Sequence, residues 1–159
     1  MVRVMATGVF DLLHPGHIEY LSEAKKLGDE LVVVVARDST AERLKHRPIM
    51  SEAQRVEMVA ALKPVDRATL GNEGDIYAIL TQIRPDVIAL GFDQAHDEGR
   101  ILEECRARGL GGTKVVRLPH FVGDLDGTRK IIQKVAEYWK LREKLQEYER
   151  DEESRRKGS

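Results

Sequence analysis

Cysteine is nearly absent from this chain: Cys105 is the only one in 159 residues. No intrachain disulfide can form, and a metal centre built on several thiolates is excluded. An excess of one charge is also missing, since 26 basic and 27 acidic side chains leave a net charge of -1. Nothing in that balance attracts nucleic acid or an anionic membrane surface, and neither is expected as a partner. No apolar run approaches the ~20 residues that a membrane-spanning helix needs. The first residues run straight into a strand-like segment with no leader pattern, so the cytoplasm is the expected compartment. Internal repeats are absent as well.

What is present is an alternation of two patterns. Apolar, β-rich runs occur at Val2–Ala6, Leu31–Ala36, Val87–Leu90 and Lys114–Leu118, with a weaker one at Ala68–Leu70. The run Leu31-Val32-Val33-Val34-Val35 is continuous rather than alternating, as in a parallel strand covered on both faces. Helical patterns lie between these runs, at Ile18–Leu27, Ser51–Leu62, Ile76–Ile83 and Gly99–Arg108. Ser51 with Gln54 three residues on reads as an N-cap with a capping box, and Gly28 as a helix C-cap. The alternation predicts a Rossmann-like α/β fold: a parallel five-stranded sheet of order 3-2-1-4-5 with helices on both faces.

The length fits one domain over residues 1–150. Thr128–Tyr148 reads as one long C-terminal helix with a stripe of Tyr138, Leu141, Leu145 and Tyr148. Such a stripe suits packing onto the helix's own domain or a contact in a homodimer, and the sequence leaves both open. Residues 151–159, nearly all charged or small, are expected to form a disordered tail.

The densest group of chemistry-bearing residues is Gly8-Val9-Phe10-Asp11-Leu12-Leu13-His14-Pro15-Gly16-His17. A strand feeding a glycine-containing turn and a helix N-terminus is a place to hold anionic oxygens. His14 and His17 add donors that can follow charge as it develops there. Gly16 permits close approach of the backbone, and Pro15 stiffens the turn. Asp11 either orients a basic group or the acceptor, or bonds local amides as aspartate in turns commonly does.

The His14-Pro15-Gly16-His17 motif resembles that of the nucleotidyltransferase superfamily with a His-x-Gly-His signature, and within it the cytidylyltransferase-like group. Further segments fall in the same family order: Ala36-Arg37-Asp38, Arg43–Pro48, Glu52–Arg55, Pro85–Ile88 and Gly91-Phe92-Asp93-Gln94. Together they are most similar to the archaeal FAD synthases, a group of FMN adenylyltransferases. The resemblance implies transfer of AMP from ATP to FMN, with release of pyrophosphate and a divalent cation, Mg²⁺, carried mainly by the triphosphate. It implies catalytic roles for His14, His17 and Lys45.

Nucleotide contacts are implied at Val9, Phe10, His14, Pro15, Gly16, His17, Asp93, Phe121, Thr128 and Arg129. The acceptor is implied to meet Asp11, Lys45, Arg47 and Arg55. Many relatives carry threonine where this chain has Val9, and a fuller hydroxyl grip where it has only Thr128. Two other outcomes share the motif. One is CTP-dependent transfer to glycerol-3-phosphate or another small phosphate. The other is a nucleotide-binding module without turnover.

Overall fold

The computed structural model describes residues 1–44 and 46–157. The chain divides into two compact units, Met1–Asp126 and Gly127–Ser159. The first unit is built on five parallel strands in the order β3-β2-β1-β4-β5. In chain order the elements are β1 (Arg3–Gly8), α1 (Pro15–Lys25), β2 (Glu30–Val35), α2 (Asp38–Leu44), α3 (Glu52–Ala60), β3 (Arg67–Leu70), α4 (Ile79–Ile83), β4 (Val87–Leu90), α5 (Glu98–Ala107), β5 (Lys114–Arg117) and α6 (Thr128–Lys157).

The period-2 geometry of the strands sorts the apolar residues into two cores, one on each face of the sheet. Val4, Ala6, Leu31, Val33 and Val35 face one side with Leu21 of α1 and Val59 of α3. Met5, Val32, Val34, Ile88 and Leu90 face the other with Leu80 of α4 and Ile101 of α5. Cys105 is buried in this second core, a free thiol with a packing role. Burial pushes that thiol's pKa up, which makes it unreactive.

The strand order and the capping box of α3 agree with the sequence: Ser51 accepts from the Gln54 amide, and Gln54 accepts from the Ser51 amide. Four local features differ. The segment Asp38–Leu44 forms α2, where the sequence suggested only a loop after β2. Helix α1 starts at Pro15, three residues before the apolar periodicity begins, because proline at the first helical position needs no amide partner. Gly28 is not a left-handed cap; a Cβ there would lie 2.6 Å from the Val2 carbonyl oxygen, so close backbone approach fixes this glycine. Helix α6 runs through Asp151 to Lys157, beyond Tyr148 and across the expected tail. Its i,i+4 pairs Glu152–Arg156 and Glu153–Lys157 support that last stretch.

Candidate active site

The pairing of β1 with β4 ends at Ala6–Ala89, while β1 continues beside β2 to Gly8–Val35. The two central strands therefore part at their carboxyl ends, at the point where the strand order reverses. Two side chains brace the opening. The Tyr20 hydroxyl donates to the Ala89 carbonyl (2.9 Å) and accepts from the Thr7 amide (3.3 Å). Burial pushes its pKa well above the ordinary tyrosine value. Gln94 donates to the Thr7 carbonyl (2.7 Å) and accepts from the Gly91 amide (3.1 Å).

The histidine motif sits directly above this opening. Phe10 has a left-handed backbone (φ 53°) and turns its ring into the core, where it packs against His17 and Tyr20. The chain then reaches His14, the N-cap of α1, whose side chain makes no capping bond. The first turn of α1 contains no acidic residue. An uncapped helix N-terminus without nearby carboxylates on that turn leaves its amide dipoles available to an anion.

The imidazoles of His14 and His17 stack with centroids 3.7 Å apart and planes 24° off parallel. His14 is 8% exposed, and its Nδ1 has no hydrogen-bond partner. Burial pulls its pKa below the ordinary histidine value, opposed by the charges of Asp126 and Asp93. Gly16 lies tight beneath it: a Cβ would fall 2.9 Å from the Asp126 carbonyl oxygen and 3.0 Å from the His14 ring.

Two residues expected at the acceptor are committed elsewhere. Arg55 is fully buried. Its guanidinium donates to the carbonyls of Met50 (3.1 Å), Val9 (2.6 Å) and Ala36 (2.9 Å) and to the Asp38 carboxylate (2.6 Å). It joins the turn after β1, the end of β2, the start of α2 and the loop before α3, so its placement does not match a phosphate ligand. Desolvation raises the pKa of Asp38, but the hydrogen bonds from Arg55 and the Glu52 amide, together with the charges of Arg55 and Arg47, outweigh it and hold the carboxyl below its usual value. Asp11, also buried, accepts from the amides of Ile49 (2.9 Å) and Met50 (2.9 Å). It thereby ties the loop carrying Arg47 to the histidine turn. Arg47 itself is exposed, and Lys45 lies outside the described residues.

On the other side of the opening, Asp93 is exposed on the loop after β4. Arg117 at the end of β5 pins that loop by donating to the carbonyls of Gly91 (2.9 Å), Gln94 (3.0 Å) and His96 (3.1 Å). Phe121 is partly buried. The exposed Phe92 ring lies over His120 at 3.7 Å, a pair that pattern reasoning did not single out. Its residues are 28 positions apart in sequence, and only the adjacency of β4 and β5 brings their loops together. Tyr20 was missed for a different reason: it reads as one more apolar position of α1. Thr128 and Arg129 form the first turn of α6 in the second unit, Arg129 exposed. Among the described residues, no three His, Cys, Asp or Glu side chains gather as a metal cage, and no helix is long and apolar enough to cross a membrane.

A doubly wound parallel sheet with paired imidazoles and an open helix N-terminus at its switch point defines a Rossmann-like protein of the nucleotidyltransferase class. The family model described as cytidylyltransferase-like matches residues 5–147, and the chain belongs to that family. A relative from Aciduliprofundum boonei named FAD synthase is 64% identical over 138 residues, covering 86% of this chain and 92% of the relative. Another FAD synthase, from Archaeoglobus profundus, is 53% identical over 150 residues, covering 94% of each. A crystal structure of the lipopolysaccharide core biosynthesis protein from Thermoplasma volcanium matches with TM-score 0.74 and 52% identity, over 77% of this chain and 99% of that one. Nucleotidyltransferases of this kind generally use a divalent cation.

Proposed function

We propose that this protein is an FMN adenylyltransferase of the cytoplasm, making FAD and pyrophosphate from FMN and ATP. The high identity to relatives named FAD synthase, over nearly their whole length, carries the choice of substrates. The reaction class rests on the stacked histidines over an uncapped helix N-terminus.

An oxygen of the FMN phosphate attacks the α-phosphorus of ATP. The new P–O bond forms as the bond from the α-phosphorus to the bridging oxygen breaks, and pyrophosphate leaves. The acceptor is already ionised at neutral pH, so the protein supplies alignment and charge stabilisation rather than a nucleophile. His14 and His17 donate to the triphosphate as its charge shifts toward the leaving group. His14, held neutral by burial in the free protein, gains proton affinity when a polyanion arrives beside it. The α1 amides and the Val9–Phe10 turn hold the phosphates, and Gly16 lets them come close. Asp93 meets the ribose or base, and Phe121 lies beside the adenine.

Arg47 and Lys45 meet the FMN phosphate, while Asp11 and Arg55 act as positioning residues that hold the loop in place. Magnesium arrives as part of the nucleotide substrate and is held by phosphate oxygens and water. The test measures pyrophosphate release with Mg²⁺, crossing ATP and CTP against FMN and glycerol-3-phosphate. Turnover with ATP and FMN, with FAD as the product, is expected. Turnover with CTP and glycerol-3-phosphate alone overturns the substrates but keeps the chemistry.

A further inference from the structure

Consecutive residues of a β-strand direct their amide and carbonyl to opposite edges, so the bonds on one edge reveal the other. The Ala36 amide donates to the Gly8 carbonyl (2.9 Å), which turns the amide and carbonyl of Thr7 toward β4. The Leu118 amide donates to the Leu90 carbonyl (2.8 Å), which turns the amide and carbonyl of Gly91 toward β1. With Ala6 opposite Ala89, the next bond of a continuing ladder would run from the Gly91 amide to the Thr7 carbonyl.

That bond is replaced by a side chain. The Gly91 amide donates to Gln94 Oε1 (3.1 Å), and Gln94 Nε2 donates to the Thr7 carbonyl (2.7 Å). One carboxamide and two hydrogen bonds stand where one hydrogen bond would, and the strands are held apart by the added length. A carboxamide offers both an acceptor and a donor, so neither backbone group at this rung is stranded. The inserted side chain also has a fixed backing. Arg117 donates to the carbonyls of Gly91 (2.9 Å) and Gln94 (3.0 Å) from the end of β5, and the Gln94 amide closes a turn onto the Gly91 carbonyl (3.3 Å). The width of the opening is therefore built into the fold and is not the fraying of two strand ends.

We propose that Gln94 is a positioning residue that sets the separation between the base-and-ribose side of the nucleotide site and its triphosphate side. The proposal rests on the nucleotidyl-transfer reading above. Asp93 precedes Gln94 on the loop after β4, and the turn that follows Thr7 leads to His14 and His17. ATP spans both sides at once, with its base and ribose at the β4 loop and its phosphates at the start of α1. Its affinity therefore depends on the distance that Gln94 sets, without any contact from Gln94 itself. Inorganic tripolyphosphate occupies the α1 side alone and does not sense that distance.

Calorimetric titration of the full chain with Mg²⁺ and either ATP or tripolyphosphate tests it. Q94A removes the spacer and leaves the Gly91 amide free to meet the Thr7 carbonyl directly. It is expected to bind ATP about tenfold more weakly than the parent, and tripolyphosphate within about twofold of it. Q94N keeps the carboxamide on a stem one methylene shorter, which falls short of Thr7, and is expected to lose affinity for ATP selectively as well. A general loosening of the fold would weaken both ligands alike. Equal losses for the two ligands therefore overturn the proposal, and so does an unchanged ATP affinity in both variants. In that second case a parent that binds both ligands keeps the nucleotidyl-transfer reading and loses only the spacer. A parent that binds neither ligand removes both.

Discussion

His14 and His17 stack at 3.7 Å between centroids, one as the N-cap of α1 and the other on its first turn. Each ring fixes the other's orientation, so the two act as a unit. In pyrophosphate release from ATP and FMN, H14A and H17A are each expected to lower kcat by about 10²–10³. The double variant is expected to lose far less than the product of the single losses. Circular dichroism of all three is expected to match the parent. Multiplicative losses would show that the rings work independently.

The pKa of His14 is depressed by burial and partly restored by Asp126 and Asp93. Its folded form therefore binds a proton less readily than its unfolded form. Its contribution to stability is intact above the ordinary value of about 6.5 and is lost as pH falls from there through the lowered folded pKa. Urea unfolding at pH 8 and pH 5 should show a smaller acid-induced loss for H14Q than for the parent. D126N removes a charge that raises the pKa, so the His14 ring proton should titrate at a lower pH by NMR. Addition of ATP should move it upward.

Arg55 is the buried hub of the site's frame, and its removal leaves three carbonyls and the Asp38 carboxylate without their partner. R55A is expected to cost about 3–5 kcal/mol by urea denaturation, because three carbonyls around the guanidinium lose their donor at about 1–3 kcal/mol each, whereas Asp38, 43% exposed, regains water. R55K keeps the charge but not the four-way fork, and should fall between the two.

Asp11 separates positioning from chemistry. D11A strands the amides of Ile49 and Met50, each costing about 1–3 kcal/mol if it stays dry. Because the freed loop carries Arg47, the KM for FMN should rise more than the KM for ATP. An equal rise in both would remove the link between this loop and the acceptor.

These residues also show where a sequence stops being readable. The sheet order was legible because the continuous valine run of β2 and the strand–helix alternation leave few parallel arrangements. The histidine turn was legible because its residues are contiguous. The acceptor side was not, since a charged residue in family order looks the same whether it meets a ligand or the backbone. Arg55 and Asp11 are drawn inward by unpaired carbonyls and amides on segments distant in sequence, and only the fold reveals those partners. Tyr20 reads as one more apolar position of α1 and Gln94 as the end of a motif in the loop after β4; only the fold shows that both bond the Thr7 backbone at the opening between β1 and β4. Helix α2 has only Ala41 and Leu44 as apolar positions and buries only Ala41, so its seven residues carried too little periodicity to be seen.

Gly16 gives the sharpest test of the site's geometry. Its backbone does not require a left-handed conformation, so alanine adds no dihedral strain there. The added methyl would instead sit 2.9 Å from the Asp126 carbonyl oxygen and 3.0 Å from the His14 ring. The backbone oxygen cannot swing aside as a flexible side chain would, so the His14 ring or the start of α1 must shift. Overpacking of this kind costs about 1–3 kcal/mol. The displaced imidazole, by contrast, loses alignment on which about 10²-fold in rate can depend. G16A should therefore remain folded at room temperature and lose at least tenfold in kcat. G28A serves as the comparison, because its methyl meets the Val2 carbonyl at 2.6 Å between α1 and β2, away from the histidines. That variant should lower the melting temperature more than it lowers kcat. Equal catalytic loss in the two variants would mean that G16A acts through stability and not through the His14 ring.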